Sequence, residues 1–180
     1  MADRGLTGIL LVGGSSSRFG SPKAQARFGE ETLAERAWRL LGEACDERLA
    51  VGRGEGLPFP ALEDPRTGPV AAIAAGLRAA TNEVAVVVPV DMPLLTAGAL
   101  RRLAGACRDA AAGPAGPLPC AVARRALPAF ETGERRLRVV LESLDTARVE
   151  LEEALLANVN EPDELRRIAP SEDGRTRGRE

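Results

Sequence analysis

A basic, glycine-rich loop near the start of the chain has the residue types of a phosphate-binding site. In 9-ILLVGGSSSRFGSPK-23, an apolar run gives way to two glycines and three serines, with Arg18 and Lys23 beyond them. Backbone N–H groups in such a loop lack strand partners, and small residues let a phosphate approach them closely. Arg18 adds a forked donor and Lys23 adds a mobile charge. Composition alone equally allows a flexible connector with two solvated basic residues.

Asp91 is the strongest candidate for a metal ligand. It directly follows the continuous apolar run 84-VAVVVPV-90, which is typical of a strand buried on both faces. Open α/β folds bind ligands beyond the carboxyl ends of their strands. Mg²⁺ is held by one or two carboxylates together with phosphate and water. The position of Asp91 therefore suits a magnesium ligand; the alternative is that the carboxylate caps its own turn.

The composition excludes several classes of function. The chain has no histidine, so a histidine base, a histidine nucleophile and histidine-ligated zinc are excluded. A formal net charge of −2 gives no indication of binding to nucleic acid or to an anionic membrane. The apolar runs are too short to span a bilayer. No signal peptide is visible. Cys45, Cys107 and Cys120 lie far apart, which favours packed free thiols in a reducing compartment. We therefore expect a cytoplasmic protein that binds neither nucleic acid nor membrane.

Strands that alternate with helices predict a parallel sheet covered on both faces. Strands are expected at residues 7–12, 48–51 and 83–88, and helices at 32–41, 69–80 and 96–108. The first helix has a capping box from Thr32 to Glu35, and Pro69 takes the favoured first position of the second.

The second half of the chain gives weaker patterns. The Gly/Pro-rich stretch 113–119 predicts a link from the main sheet to a smaller C-terminal elaboration. Residues 127–144 are helical in character with a break at 132–133, and 155–168 predicts a short strand and then a helix capped by Asn160. We expect one domain over residues 1–169 and a disordered tail at 170–180.

Several spaced motifs together resemble one family. The stretch 11-LVGGSSSRFGSPK-23 resembles the LAGGxSxRMG…DK signature of the nucleotidyltransferases that include the molybdenum cofactor guanylyltransferase. Further matches to the family follow in the same order as in its members. They are Glu63-Asp64 with 68-GPVAAIAAGL-77, the strand ending in 89-PVDMP-93, 133-GERRL-137 and 158-NVNEPDEL-165. The likeness covers about residues 7–168, and the motifs in series are far more specific than any one of them.

The resemblance implies a Rossmann-like three-layer α/β/α sandwich with a mostly parallel central sheet. It also implies a role for each matched residue. For the nucleoside, Leu11, Val12 and Gly13 would contact the base through main chain, Gly14 would allow close passage, and Asp64 would take part in recognition beside the turn shaped by Gly68. For the triphosphate, Arg18 and Lys23 would bind its oxygens and Asp91 would bind Mg²⁺. The second substrate would be faced by Asn158 and Asn160. For Asp64 the alternative is an ordinary Asp-Pro turn, and for Asn160 it is a helix cap.

The reaction implied is Mg²⁺-dependent transfer of GMP from GTP to molybdopterin, with release of pyrophosphate. Arg18, Lys23 and Asp91 would be its catalytic residues. The resemblance leaves transient contact with proteins of molybdoenzyme maturation open. Two rival functions also stay open: a cytidylyltransferase or a sugar- or alditol-phosphate nucleotidyltransferase of the same fold, and a non-catalytic nucleotide-binding accessory protein.

Three positions depart from the family pattern. Pro22 replaces the usual aspartate before the loop lysine, Gly52 stands where an asparagine often follows the second strand, and Ala72 replaces the second glycine of GPLAGI. These departures bear on the identity of the substrates more than on nucleotide binding.

Overall fold

The computed structural model of the chain describes residues 5–13, 22–63 and 68–168. Eight strands alternate with five α-helices and three short 3-10 helices within these ranges. The strands are β1 (Leu6–Leu11), β2 (Arg27–Phe28), β3 (Glu31–Thr32), β4 (Glu47–Val51), β5 (Val84–Pro89), β6 (Ala110–Ala112), β7 (Cys120–Ala123) and β8 (Thr146–Arg148). The α-helices are α1 (Leu33–Ala44), α2 (Pro69–Ala79), α3 (Ala97–Ala106), α4 (Leu137–Glu142) and α5 (Pro162–Ile168), and the 3-10 helices are Lys23–Gln25, Arg124–Glu131 and Glu153–Leu156.

Six strands form the central sheet in the order β4-β1-β5-β7-β6-β8. The pairs β1–β4, β1–β5 and β6–β8 are parallel, and β7 runs antiparallel to both β5 and β6. Strands β2 and β3 form a separate antiparallel pair. Five strands of the main sheet thus point one way, which confirms the predicted mostly parallel sheet.

Helices cover both faces of this sheet and give three layers. Alternate side chains of the central strands enter two cores: Leu10, Val86 and Val88 pack with α1 and α3. Ile9 and Val87 enter the other core, with α2, α4 and the 3-10 helix Arg124–Glu131. No helix in the described ranges is long and apolar enough to cross a membrane.

Local sequence signals set the boundaries of the first two helices. At α1, the Thr32 hydroxyl accepts from the Glu35 N–H and the Glu35 carboxylate accepts from the Thr32 N–H, so the predicted capping box is confirmed. Helix α2 begins at Pro69 behind Gly68, whose φ of +109° is a conformation that favours glycine.

Two expectations for the second half of the chain are wrong, and a third is not tested. Residues 113–119 join β6 to β7, and both strands belong to the main sheet rather than to a separate elaboration. These strands, which are mostly alanine, were not predicted because alanine has low β propensity and the pairing depends on tertiary contacts. The strand expected near residue 155 is instead the 3-10 helix Glu153–Leu156. The predicted tail at 170–180 lies outside the described residues.

Candidate active site

The carboxyl ends of three parallel strands meet at one edge of the sheet. Beyond these ends, the Val12 N–H donates to the Val51 carbonyl at 3.0 Å and the Val90 N–H donates to the Leu11 carbonyl at 3.2 Å. These bonds bring the loop after β1 beside Asp91, which follows β5. This is the edge at which open α/β sheets bind ligands.

Lys23 and Asp91 form an ion pair at this edge, although they are 68 residues apart in the chain. Lys23 Nζ lies 3.1 Å from Asp91 Oδ2, and the two side chains are only 17% and 20% exposed. The two residues predicted to share the site are therefore together, in a half-buried place where solvent screens charge less than on the open surface.

The second oxygen of the Asp91 carboxylate is buried and has no hydrogen-bond partner among the described residues. A buried unpaired carboxylate oxygen is costly, and such exceptions call for an explanation. The carboxylate does not cap its own turn, because Oδ2 bonds to Lys23 and Oδ1 is unpartnered. Oδ1 is thus available to a ligand, and a carboxylate oxygen is the donor type that Mg²⁺ prefers.

The segment 158–160 completes the wall of the site near Asp91. The N–H of Val159, a residue 1% exposed, donates to the Asp91 carbonyl at 2.9 Å. Asn158 and Asn160 flank it and are exposed. Asn160 Oδ1 accepts from Lys23 Nζ at 3.3 Å, so this residue joins the Lys23–Asp91 pair.

The alternative that Asn160 caps the last helix is wrong. Its side chain bonds to Lys23, and it is the Glu164 carboxylate that accepts from the N–H groups of Asn160 and Glu161, at 2.7 and 3.2 Å. Asn158 makes no side-chain hydrogen bond within the described ranges, so its predicted contact with a second substrate stays a prediction.

The three residues predicted to contact the base lie at the end of β1. Leu11 is buried, Val12 is half-buried and Gly13 is exposed. The Leu11 carbonyl and the Val12 N–H both serve bonds to neighbouring strands, so Gly13 is the one of the three most open to a ligand. Gly68 is also exposed, at the start of α2.

The backbone at residue 52 explains why a glycine stands there in place of the asparagine of the family pattern. Its φ is +142°, and a Cβ on it would lie 2.5 Å from the Gly13 nitrogen, so an asparagine does not fit on this backbone. Ala72 is 6% exposed and packs in the core, so the departure at this position concerns packing more than ligand approach. Pro22 immediately precedes the 3-10 helix Lys23–Gln25.

Three predicted site residues, Gly14, Arg18 and Asp64, lie outside the described residues. Residues close in the chain to Gly14 and to Asp64 lie at the carboxyl edge of the sheet: Gly13 follows β1, and the Gly52 N–H donates to the Leu62 carbonyl at 3.0 Å beyond the end of β4. The roles of all three stay predictions.

The cysteines are free thiols with no sign of catalytic activation. Burial raises the pKa of Cys45 and of Cys120 to about 12 and that of Cys107 to about 11. A nucleophilic thiol needs the opposite shift. The description of these residues as packing groups agrees with the structure.

Sequence reasoning did not single out Arg36 on α1, which lies next to the site. Its Nε donates to the Pro93 carbonyl at 2.6 Å, two residues beyond Asp91. A backbone carbonyl carries no residue signature, so no motif in the sequence could have indicated this contact.

The family model described as the MobA-like NTP transferase domain matches residues 8–151. Among the relatives, the molybdenum cofactor guanylyltransferase of Xanthomonas euvesicatoria is 34% identical, over 90% of this chain and 93% of its own. A protein of Chloroflexus aggregans, named a probable molybdenum cofactor guanylyltransferase, is 32% identical over 91% of this chain and 93% of its own.

Solved structures show the same fold. The molybdopterin-guanine dinucleotide biosynthesis protein A of Archaeoglobus fulgidus superposes with a TM-score of 0.75 at 24% identity, over 89% of this chain and 95% of that one. A nucleotidyl transferase from a Methanothermobacter species gives a TM-score of 0.78 at 19% identity, over 92% and 96%. The family match, the relatives and the geometry of the sheet edge agree, and the chain belongs to the MobA-like NTP transferase family.

Proposed function

We propose that the chain is a molybdenum cofactor guanylyltransferase, which transfers GMP from GTP to molybdopterin and releases pyrophosphate. The product is the guanine dinucleotide form of the cofactor. The observation that carries this proposal is the half-buried Lys23–Asp91 pair with its unpartnered carboxylate oxygen, at the ligand-binding edge of the sheet. Full-length relatives named for this activity support the choice of substrates.

The residues present fit a single Mg²⁺ ion held by Asp91. Oδ1 is buried and unpartnered, and the described ranges contain no group of three or more acidic, thiol or imidazole side chains that could form an all-protein cage. One carboxylate completed by phosphate oxygens and water is a usual environment for Mg²⁺. When bound, Mg²⁺ supplies positive charge against the phosphate oxygens of the nucleotide.

Lys23 binds the triphosphate in this proposal. Its flexible four-carbon stem lets the ammonium group move from the Asp91 carboxylate to a phosphate oxygen nearby. Asn160 keeps a hydrogen bond within reach of the ammonium group and limits its rotation. Arg18 and the backbone N–H groups of Gly13 and Gly14 bind further phosphate oxygens.

The remaining predicted residues orient the two substrates. Leu11, Val12 and Asp64 contact the nucleoside, Gly68 shapes the turn beside it, and Asn158 with Asn160 faces molybdopterin. Their contribution is to hold two polyanions in line, which is the larger part of catalysis when no covalent enzyme intermediate forms.

The bond changes need no nucleophile from the protein. An oxygen of the terminal phosphate of molybdopterin attacks the α-phosphorus of GTP, a new P–O bond forms, and the bond to the β-phosphate oxygen breaks with both its electrons leaving on pyrophosphate. Terminal phosphate is largely ionised at neutral pH, so no histidine base is required. Lys23 stabilises negative charge that develops on the transferred phosphoryl group.

The test is pyrophosphate release with each of GTP, CTP, ATP and UTP against molybdopterin and against sugar phosphates. We expect release with GTP and molybdopterin, and loss of release when Mg²⁺ is chelated. A preference for CTP would contradict the guanylyl assignment. Nucleotide binding without pyrophosphate release under any pairing would instead establish a non-catalytic binding protein.

The site of action in this proposal is the cytoplasm. The three cysteines are half-buried or buried free thiols, which suits a reducing compartment.

A further inference from the structure

The two segments that carry Lys23 and Asp91 are linked by one guanidinium group. Arg36 lies in the first turn of α1, and its Nε donates to the Pro93 carbonyl at 2.6 Å. Its Cζ also lies 4.9 Å from the centroid of the Phe28 ring. A guanidinium over an aromatic face is an attractive contact, so Arg36 contacts both segments at once.

Each contact lies close in the chain to a residue of the site. Pro93 is the second residue after Asp91, and Pro93 and Leu95 beyond it are buried, which leaves the turn little freedom. Phe28, 3% exposed, follows the 3-10 helix that begins at Lys23. That helix is in turn held to α1, since the Ala26 carbonyl accepts from the Leu33 N–H at 2.9 Å.

A third contact fixes the orientation of the guanidinium group. Arg36 Nη1 lies 3.9 Å from Glu31 Oε2, and Arg36 is only 29% exposed. Glu31 is itself held by two hydrogen bonds from Arg39, at 2.7 and 3.0 Å. Carboxylate, aromatic ring and carbonyl therefore surround one planar group, and arginine meets all three contacts at once where the ammonium group of a lysine would meet them only in part.

We propose that Arg36 is a positioning residue for nucleotidyl transfer: it holds the Pro93 carbonyl against the Phe28 ring and so sets the separation of Lys23 and Asp91. This inference rests on the proposed function, because it assumes that Lys23 and Asp91 act on one substrate. Arg36 does not touch the substrate. Its loss lets the turn after β5 drift from the Lys23 segment, and small misplacements of catalytic groups reduce turnover strongly.

Steady-state kinetics of Arg36→Ala, Arg36→Met and Arg36→Lys test the proposal, with Arg39→Ala as the matched control. Arg39 lies one turn further along α1 and pairs with Glu31 and Glu43, but it contacts neither Pro93 nor Phe28 in the described structure. We expect Arg36→Ala and Arg36→Met to lower kcat roughly tenfold while KM for GTP changes less than about twofold. Arg36→Lys should recover kcat to within roughly threefold of wild type, because it keeps a donor and a charge. Arg39→Ala loosens Glu31 but leaves the contacts of Arg36 with Pro93 and Phe28 in place, so it should lower kcat by less than about twofold.

Arg36→Met keeps an unbranched side chain beside Phe28 but loses the donor and the charge, so it decides the question if Arg36→Ala does not fold. A kcat within about twofold of wild type for Arg36→Met, or an equal loss in Arg39→Ala, would overturn the proposal. A rise in KM with no change in kcat would overturn it as well.

Crystal structures of wild type and Arg36→Met separate this inference from the proposed function. We expect the distance between Lys23 Nζ and Asp91 Oδ2 to increase from 3.1 Å to beyond hydrogen-bonding range in the variant. If wild type releases no pyrophosphate but the distance between Lys23 and Asp91 still increases in Arg36→Met, the proposed function is wrong and the positioning role holds. If the pair stays closed in Arg36→Met, the positioning role is wrong whatever the activity.

Discussion

The two edges of the central sheet each hold a half-buried carboxylate, and the two are satisfied very differently. At the amino edge, Glu47 Oε2 accepts from the Thr7 hydroxyl at 2.6 Å and from the Thr81 N–H at 2.9 Å. Asn82 completes the cluster by donating to Thr7 Oγ1 at 3.1 Å. At the carboxyl edge, Asp91 has one ion pair and a buried oxygen with no partner among the described residues.

The difference separates a structural carboxylate from a functional one. The Glu47 cluster ties β1, β4 and the start of β5 together through bonds within the protein. Asp91 keeps part of its bonding capacity unused, and its one side-chain partner is a flexible lysine. A polar network in which every group has a hydrogen-bond partner stabilises the fold. A network at a ligand-binding edge that keeps an unused acceptor can instead take its missing partner from a substrate.

The largest effect should come from Asp91. Asp91→Ala and Asp91→Asn should lower turnover by roughly 10²-fold or more, because the Mg²⁺ ligand is lost or becomes neutral. Thermal unfolding should change little, since the ion pair with Lys23 is offset by the cost of burying the unpartnered Oδ1 in the free protein. Pyrophosphate release measured beside a melting curve checks both. Substantial turnover in a folded Asp91→Ala would remove the metal role.

Lys23→Ala should follow closely, with a loss of about 10²-fold in turnover. The ammonium group offsets phosphate charge in the transition state, and no second lysine can replace it, since Lys23 is the one lysine in the whole sequence. Kinetics over a range of GTP concentrations measure the loss. A variant that keeps most of its activity would exclude Lys23 from the mechanism.

Asn160→Ala should lower turnover by roughly fivefold, because Lys23 loses one hydrogen bond. Asn158→Ala is the matched comparison, since Asn158 is exposed on the same segment without a bond to Lys23. It should change KM for molybdopterin and leave kcat alone. Equal kinetic profiles for the two variants would contradict the separate roles.

Glu47→Gln should affect stability and spare activity. Burial raises the pKa of Glu47, but hydrogen bonds from Thr7 and Thr81 outweigh this and bring the pKa below its ordinary value of 4.5. Glu47 therefore stabilises the fold above pH 4.5, and the contribution is lost as pH falls through the lower folded-state pKa. We expect the variant to lose about 1 kcal/mol near pH 7 and to approach wild type in acid. Denaturant unfolding at several pH values measures this difference, and a pH-independent gap would contradict it.

The first half of the chain and the main site pair could be predicted from sequence for physical reasons. The capping box of α1 and the proline at the start of α2 are local signals, and β5 is a long apolar run. Asp91 follows the end of β5 and the segment that carries Lys23 comes after β1, so the parallel pairing of these strands directs both segments to one edge. The comparison with the family then gave the expected chemistry.

The parts that failed depend on contacts with no residue signature. Strands β6 and β7 are short and mostly alanine, and they form because partners on both sides bury them. Asn160 was an equally good cap by sequence, and only the position of Lys23 decides its side-chain contact. Arg36 binds a main-chain carbonyl, which any residue could offer.

The most direct test of the account is a crystal structure of the wild-type protein with GTP and Mn²⁺, with the metal located by its anomalous signal. The account predicts a single metal bonded to Asp91 Oδ1 and to the phosphates, with Lys23 Nζ moved from Asp91 onto a phosphate oxygen of the same nucleotide. A bound nucleotide that contacts neither Lys23 nor Asp91, or a metal held elsewhere, would contradict it.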